Sequence, residues 1–137
     1  MNEVYIMSAT RSPVGAFGGS LKDFNPVDLG AIVAKESIER SKISPEEIGH
    51  AVFGNVIHTE PRDMYVSRVI ALNSGLNKDS CALTVNRLCG SGLQAIVSAS
   101  QLILLGDTEI ALAGGVEVMS SGTHVVKGFR WGNRMGD

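Results

Sequence analysis

The stretch from Thr84 to Gly106, TVNRLCGSGLQAIVSASQLILLG, joins a β-like run to a long apolar run through one cysteine, Cys89, and two glycines, Gly90 and Gly92. From Gly90 to Leu105 it carries no formal charge, and Gly106-Asp107 supplies a helix stop. Small residues (Gly90, Gly92, Ala95, Ser98, Ala99) share it with large apolar ones (Leu93, Ile96, Val97, Leu102, Ile103). An uncharged helix of this composition is expected to be buried on all sides, between two sheets or two halves of a molecule. The junction before it is either a glycine loop that cradles a phosphate or a turn that presents a cysteine.

Working outward, short apolar runs alternate with helical stretches. Val4–Ala9, Ala51–Ile57, Cys81–Val85 and Ile110–Gly115 read as strands. They are near-continuously apolar, as in a parallel sheet covered on both faces. A first helix opens at Asn25-Pro26-Val27-Asp28, with a capping side chain, a proline at the first position and an acid that complements the dipole. Val27, Ala31, Ala34 and Ile38 then form one apolar stripe. Ser44–Glu47 has capping-box spacing and predicts a single turn. A further helix is expected over roughly residues 63–73, ended by Ser74-Gly75. The order is βαβαβαβ, an α/β domain with a mostly parallel sheet. Residues 1–120 form that domain, and residues 121–137 begin a loop region without a closing element.

Composition narrows the classes of function. A chain of 137 residues, 44% hydrophobic, suffices for one globular core. A net charge of −2 offers no electrostatic footprint for nucleic acid or an anionic membrane. No apolar run reads as long and uninterrupted enough to span a bilayer. The start MNEVYIMSATRS has Glu3 and no basic region ahead of its apolar residues, unlike a secretory signal, so a cytoplasmic location is expected. Cys81 and Cys89 lie eight residues apart without a Cys-x-x-Cys or a His pair, which argues against a zinc site and a disulfide framework.

Three readings of the junction follow. Gly90, Gly92 and Ala95 satisfy G-x-G-x-x-G/A between a strand and a helix. That fingerprint normally follows the first strand of its fold, and here it follows the third. The next strand also ends in Leu-Ala-Gly-Gly, where an acid should meet the ribose. The second reading is a cysteine nucleophile, raised at the sheet edge with its anion favoured by a helix N-terminus. A helix end contributes about 0.3–1 kcal/mol, ~2 at best. That is too little to ionise a thiol near neutrality, so a neighbouring base is needed. His50, His58 and His124 are available, none in a catalytic motif. The CGSG tetrad is similar to the CGSC of papain-like proteases but lacks its second cysteine and aromatic. The third reading makes Cys89 a small buried hydrophobe.

Other features carry weaker signals. Cys81 opens an apolar strand and is expected in the core. Arg11–Gly19 is glycine-rich without the Lys-Ser/Thr of a P-loop, hence a structural loop. Thr59–Arg68 reads as a solvated helix start, and Gly128–Arg134, with Trp131 between two arginines, as a surface loop.

Taken together, the motifs resemble the thiolase family, the acetyl-CoA C-acyltransferases. Asn86–Ile96 (NRLCGSGLQAI) resembles the family's nucleophile motif and SATRSPVGAFGGSLKD its opening strand and loop. EEIGHAVFGNVI resembles its second strand, AGGVEVMSSG its Gly-Gly-x-Glu-x-Met-Ser segment, and RWGNRMGD the entry to its covering loop region. The stretch HTEPRDMYVSR departs from the commoner family pattern and is more similar to bacterial broad-specificity β-ketothiolases.

The resemblance implies that Cys89 is the acyl-accepting nucleophile and a backbone oxyanion donor. It implies that the chain is most of the first half of a five-layered αβαβα fold, with the C-terminal thiolase domain absent. Acetyl-CoA and acyl-CoA or 3-oxoacyl-CoA are the implied substrates, in fatty acid metabolism, with no metal or nucleotide cofactor. The complete protein would be a homodimer or homotetramer, with Cys81–Arg87 near the dimer interface. The family's Gly-His-Pro base motif and the second cysteine in Cys-x-Gly match nothing in these residues. The chain alone is therefore expected to be inactive in turnover. The rival expectation is a non-catalytic half-domain that serves in association.

Overall fold

The computed structural model describes residues 3–132 and 135. Among them the chain forms helix α1 (Pro26–Ser41), strand β1 (His50–Gly54), helix α2 (Val66–Asn73), strand β2 (Cys81–Val85), helix α3 (Ser91–Leu105) and strand β3 (Ala111–Gly115). The strands make one parallel sheet in the order β2-β1-β3. In register, Gly54 lies beside Val85 on one side and Gly115 on the other, so all three strands end together.

The sheet divides the core into two layers. Ala51 and Phe53 of β1 point toward α1 and α2, where they join Val27, Ala34, Ile38 and Ile70. Val52, between them in sequence, points the other way onto Ala95 and Ala99 of α3. A strand alternates faces with period two, so one residue's shift would exchange these partners. The expected helix signals are present: the Asn25 side chain accepts the Asp28 N–H at 2.8 Å, and Val27, Ala31, Ala34 and Ile38 are all buried. Pro45–Glu47 forms the expected single turn, with Glu47 accepting the Ser44 N–H at 3.2 Å.

The sheet departs from expectation at its margins. Val4–Ala9 is not a strand: it runs without sheet pairing. Hydroxyls hold it to α1 instead, Ser8 Oγ donating to the Ser37 carbonyl at 2.8 Å and Thr10 Oγ1 to that of Val33 at 3.1 Å. An apolar cleft of about 840 Å³ separates this segment from β3. The strand expected over Ala51–Ile57 ends at Gly54, because Asn55, Val56 and Ile57 turn away to bond Glu117. Cys81, expected in the core, is exposed, because β2 is an edge strand whose residues are at best half-buried. The segment ahead of α2 is a 3₁₀ turn, Pro61–Tyr65, and its Asp63 is fully buried rather than solvated. Arg11–Gly19 is loop and turn as expected. Trp131 sits exposed in the turn Phe129–Trp131, while Asn133, Arg134, Gly136 and Asp137 lie outside the described residues.

The largest departure is α3, expected to be buried all round. Only Ser91, Ala95 and Ala99 are buried, a stripe of small residues that lets the helix lie close on the sheet. Leu93 and Leu105 remain 69% and 77% exposed, and Ile96, Val97 and Leu104 share that open face. The 18 residues Leu88–Leu105 have a mean hydropathy of 1.6, apolar enough by length and composition to cross a membrane, contrary to the sequence expectation. The helix proper has 15 residues. At 1.5 Å per residue it reaches about 22 Å, short of a ~30 Å hydrocarbon core, and its small-residue stripe is engaged by the sheet.

An apolar face of this kind drives association in water. The isolated 137-residue chain is therefore expected to self-associate with rising concentration, and Leu93→Lys with Leu105→Lys to suppress it. Sedimentation velocity checks this; a monodisperse monomer of the unmodified chain at high concentration would contradict it.

Candidate functional site

Cys89 lies four residues beyond the end of β2, at the carboxyl edge of the parallel sheet and just before the first turn of α3. Open α/β sheets bind ligands at this edge. The cysteine is exposed and unbridged, which removes the reading of Cys89 as a buried hydrophobe. The apolar cleft beside β3 does not include it.

The turn that carries Cys89 is tightly held. Leu88 adopts φ 49°, a left-handed conformation that costs a non-glycine residue about 1–2 kcal/mol. Two side chains hold it there. Asn86 Oδ1 accepts the Leu88 N–H at 3.0 Å, and the hydroxyl of Ser91 donates to the Leu88 carbonyl at 2.6 Å. The same hydroxyl accepts the Arg87 N–H at 2.8 Å, and the Gly90 N–H closes onto the Arg87 carbonyl at 3.1 Å.

Beneath the turn, glycines let α3 come close to the sheet. A Cβ on Gly54 would lie 2.6 Å from the carbonyl carbon and from Cβ of Ser91, and one on Gly115 would lie 3.0 Å from Gly92 Cα. Gly54 and Gly115, which the sequence reading missed, make this close contact, whereas a Cβ on Gly92 would meet nothing. Gly54→Ala is expected to destabilise the chain by about 1–3 kcal/mol, because backbone rather than a side-chain tip must move. Urea unfolding measures it; an unchanged midpoint would contradict the packing.

A second set of bonds ties the turn to the neighbouring strand ends. Buried Asn55 donates to the Val116 carbonyl at 2.9 Å and to Glu117 at 3.1 Å. The Glu117 carboxylate also accepts the N–H groups of Val56 and Ile57, the latter at 3.3 Å. Asn86 Nδ2 donates to the Val56 carbonyl at 3.2 Å, linking this knot to the cysteine turn. Asn55, Asn86, Ser91 and Glu117 were not singled out from the sequence, although amide and hydroxyl residues beside strand ends are the usual turn-makers.

None of the three histidines is placed as a base for Cys89. His50 begins β1, at the opposite end of the sheet from the cysteine. Its strand alone spans about 13 Å at ~3.3 Å per residue. His58 and His124 are exposed, and among the described residues no hydrogen bond joins either to Cys89. The phosphate reading fares no better, since Gly115 backs onto Gly92 where the sequence pattern already lacked a ribose acid.

The arrangement defines an α/β domain that presents an exposed thiol at a strand-to-helix turn. Comparison with known proteins specifies the family: residues 4–137 match the model of the thiolase N-terminal domain. The chain belongs to the thiolase family. It is 58% identical over 135 residues to beta-ketothiolase BktB of Cupriavidus necator, covering 98% of this chain and 34% of that protein. The crystal structure of human mitochondrial 3-ketoacyl-CoA thiolase in complex with CoA matches with a TM-score of 0.92 and 40% identity, over 97% of this chain and 34% of that one. The Bacillus anthracis acetyl-CoA acetyltransferase structure matches with a TM-score of 0.89 and 39% identity, over 96% and 33%. The chain thus spans about a third of the length of the curated relatives it matches.

Proposed function

We propose that this chain is the nucleophile-bearing part of an acyl-CoA C-acyltransferase, with Cys89 as the acyl acceptor. The single observation that carries the reading is the turn itself: an exposed thiol held at the sheet's carboxyl edge, just ahead of a helix, in a chain of the thiolase family. The Cys89 thiolate attacks the carbonyl carbon of acetyl-CoA or a longer acyl-CoA. A new S–C bond forms, the bond to coenzyme A sulfur breaks, and coenzyme A leaves as a thiolate. The Cys89 N–H receives the oxyanion of the tetrahedral intermediate, an effect of about 2.7–4 kcal/mol per donor.

Claisen condensation to 3-oxoacyl-CoA, or thiolysis in reverse, then needs a base and a carbanion-forming group. The family supplies these from a Gly-His-Pro motif and a second cysteine, to which no residue here corresponds. The stretch HTEPRDMYVSR, similar to bacterial broad-specificity β-ketothiolases, supports breadth toward longer acyl chains. Exposed β2 supports a dimer contact along that edge, and the unbridged cysteines support a reducing, cytoplasmic setting.

The exposed face of α3 favours a second reading, a half-domain that serves only in association. Thiolysis of acetoacetyl-CoA separates the two. The chain alone is expected to show no turnover, and mixing it with a polypeptide covering the downstream two-thirds of a relative is expected to restore it. Turnover by the 137 residues alone would contradict the proposal, and failure of every complementing partner would favour the association module.

A further inference from the structure

We infer that Ser91 is a positioning residue that aims the Cys89 N–H as oxyanion donor; the inference rests on the acyltransferase reading and deepens it. Ser91 is only 4% exposed, beneath the turn and against Gly54. Its hydroxyl uses both of its functions: it accepts the Arg87 N–H and donates to the Leu88 carbonyl, which also takes the Ser91 N–H at 3.0 Å. Two donors on one carbonyl fix the plane of the Leu88–Cys89 peptide. The described chain holds no cis peptide bond, and in a trans peptide the N–H points opposite to the C=O. The Leu88 carbonyl faces α3, so the Cys89 N–H faces away from it.

Removing the hydroxyl leaves the Arg87 N–H without a partner and Leu88 with one donor fewer against its left-handed strain. The peptide plane can then rotate, and the N–H swings off its target. Cys89 itself stays exposed, so its plain nucleophilicity changes little. A residue important only for folding would not separate these two effects.

The test compares two reactions at the same sulfur in the enzyme complemented with the downstream polypeptide, read site by site by peptide mass spectrometry. Iodoacetamide alkylates a thiolate without forming an oxyanion, whereas acetyl-CoA transfers its acetyl group through one. In Ser91→Ala, the rate of Cys89 acetylation is expected to fall by about 100-fold, as loss of one oxyanion donor does elsewhere. Cys89 alkylation should stay near that of the unmodified protein, with circular dichroism reporting an intact fold. If Ser91→Ala unfolds, Ser91→Cys, whose thiol is a weak donor of similar size, is read in the same way. Parallel loss of both reactions at Cys89, or unchanged acetylation, would overturn the role of Ser91 alone. If acetyl-CoA never labels Cys89 of the unmodified protein, the acyltransferase reading fails first and the inference with it.

Discussion

Cys89→Ala is expected to abolish acyl-enzyme formation, and to lower thiolysis by the complemented enzyme by roughly 10⁴–10⁶-fold, the scale of removing a nucleophile that works with a base. The size follows from the chemistry. Without sulfur there is no covalent intermediate, and in thiolysis the acyl group would have to pass directly from acetoacetyl-CoA to the coenzyme A thiol. The fold should tolerate the change, because the side chain is exposed and the turn is held by Asn86 and Ser91 rather than by the thiol. Cys81→Ala, on the β2 edge away from this turn, is the control and should leave acylation unchanged. Acetoacetyl-CoA thiolysis and acyl-adduct mass measure both variants. Persistent acylation of Cys89→Ala would place the nucleophile elsewhere.

The second large effect concerns stability. Asp63→Ala is expected to cost about 3 kcal/mol, because several hydrogen bonds to one buried side chain are lost together and their donors are left in a dry site. Asp63 is fully buried, and its Oδ2 accepts the Thr59 N–H at 2.7 Å, the Thr59 hydroxyl at 2.9 Å and the Glu60 N–H at 3.1 Å. These bonds fold the segment after β1 back into the start of α2. A domain with a stability of about 5–15 kcal/mol loses a large share of it in such a change. Urea unfolding followed by circular dichroism measures the shift, with a lowered midpoint expected. A midpoint equal to that of the unmodified chain would show that these donors are satisfied some other way.

What the sequence made legible follows from the range of the interactions. The Val27, Ala31, Ala34 and Ile38 stripe and the Asn25 cap are local periodic signals, and both appear in the fold. Cys89 was legible as a candidate because a strand, a turn and a helix meet within a few residues of it. Its supports were not, because their partners lie far away along the chain: Asn55 and Glu117, for example, are 62 residues apart. The run Val4–Ala9 leaves Tyr5, Ile6 and Met7 exposed within this chain, and hydropathy alone does not say whether an apolar run has a sheet partner. The same limit applies to α3. Its composition demands burial, yet within this chain only the small residues Ser91, Ala95 and Ala99 find it. The glycines of CGSG match a phosphate fingerprint, but the close approach of α3 to the sheet is made by Gly54 and Gly115 on the strands.

The most direct measurement of the central claim is peptide mapping after exposure of the chain, complemented with the downstream two-thirds of a relative, to acetyl-CoA, with the reaction quenched in acid to preserve thioesters. The account predicts one acetyl group, on Cys89, labile to hydroxylamine and absent from Cys81. An adduct confined to Cys81, or no adduct at Cys89 while iodoacetamide still reaches it, would contradict the account.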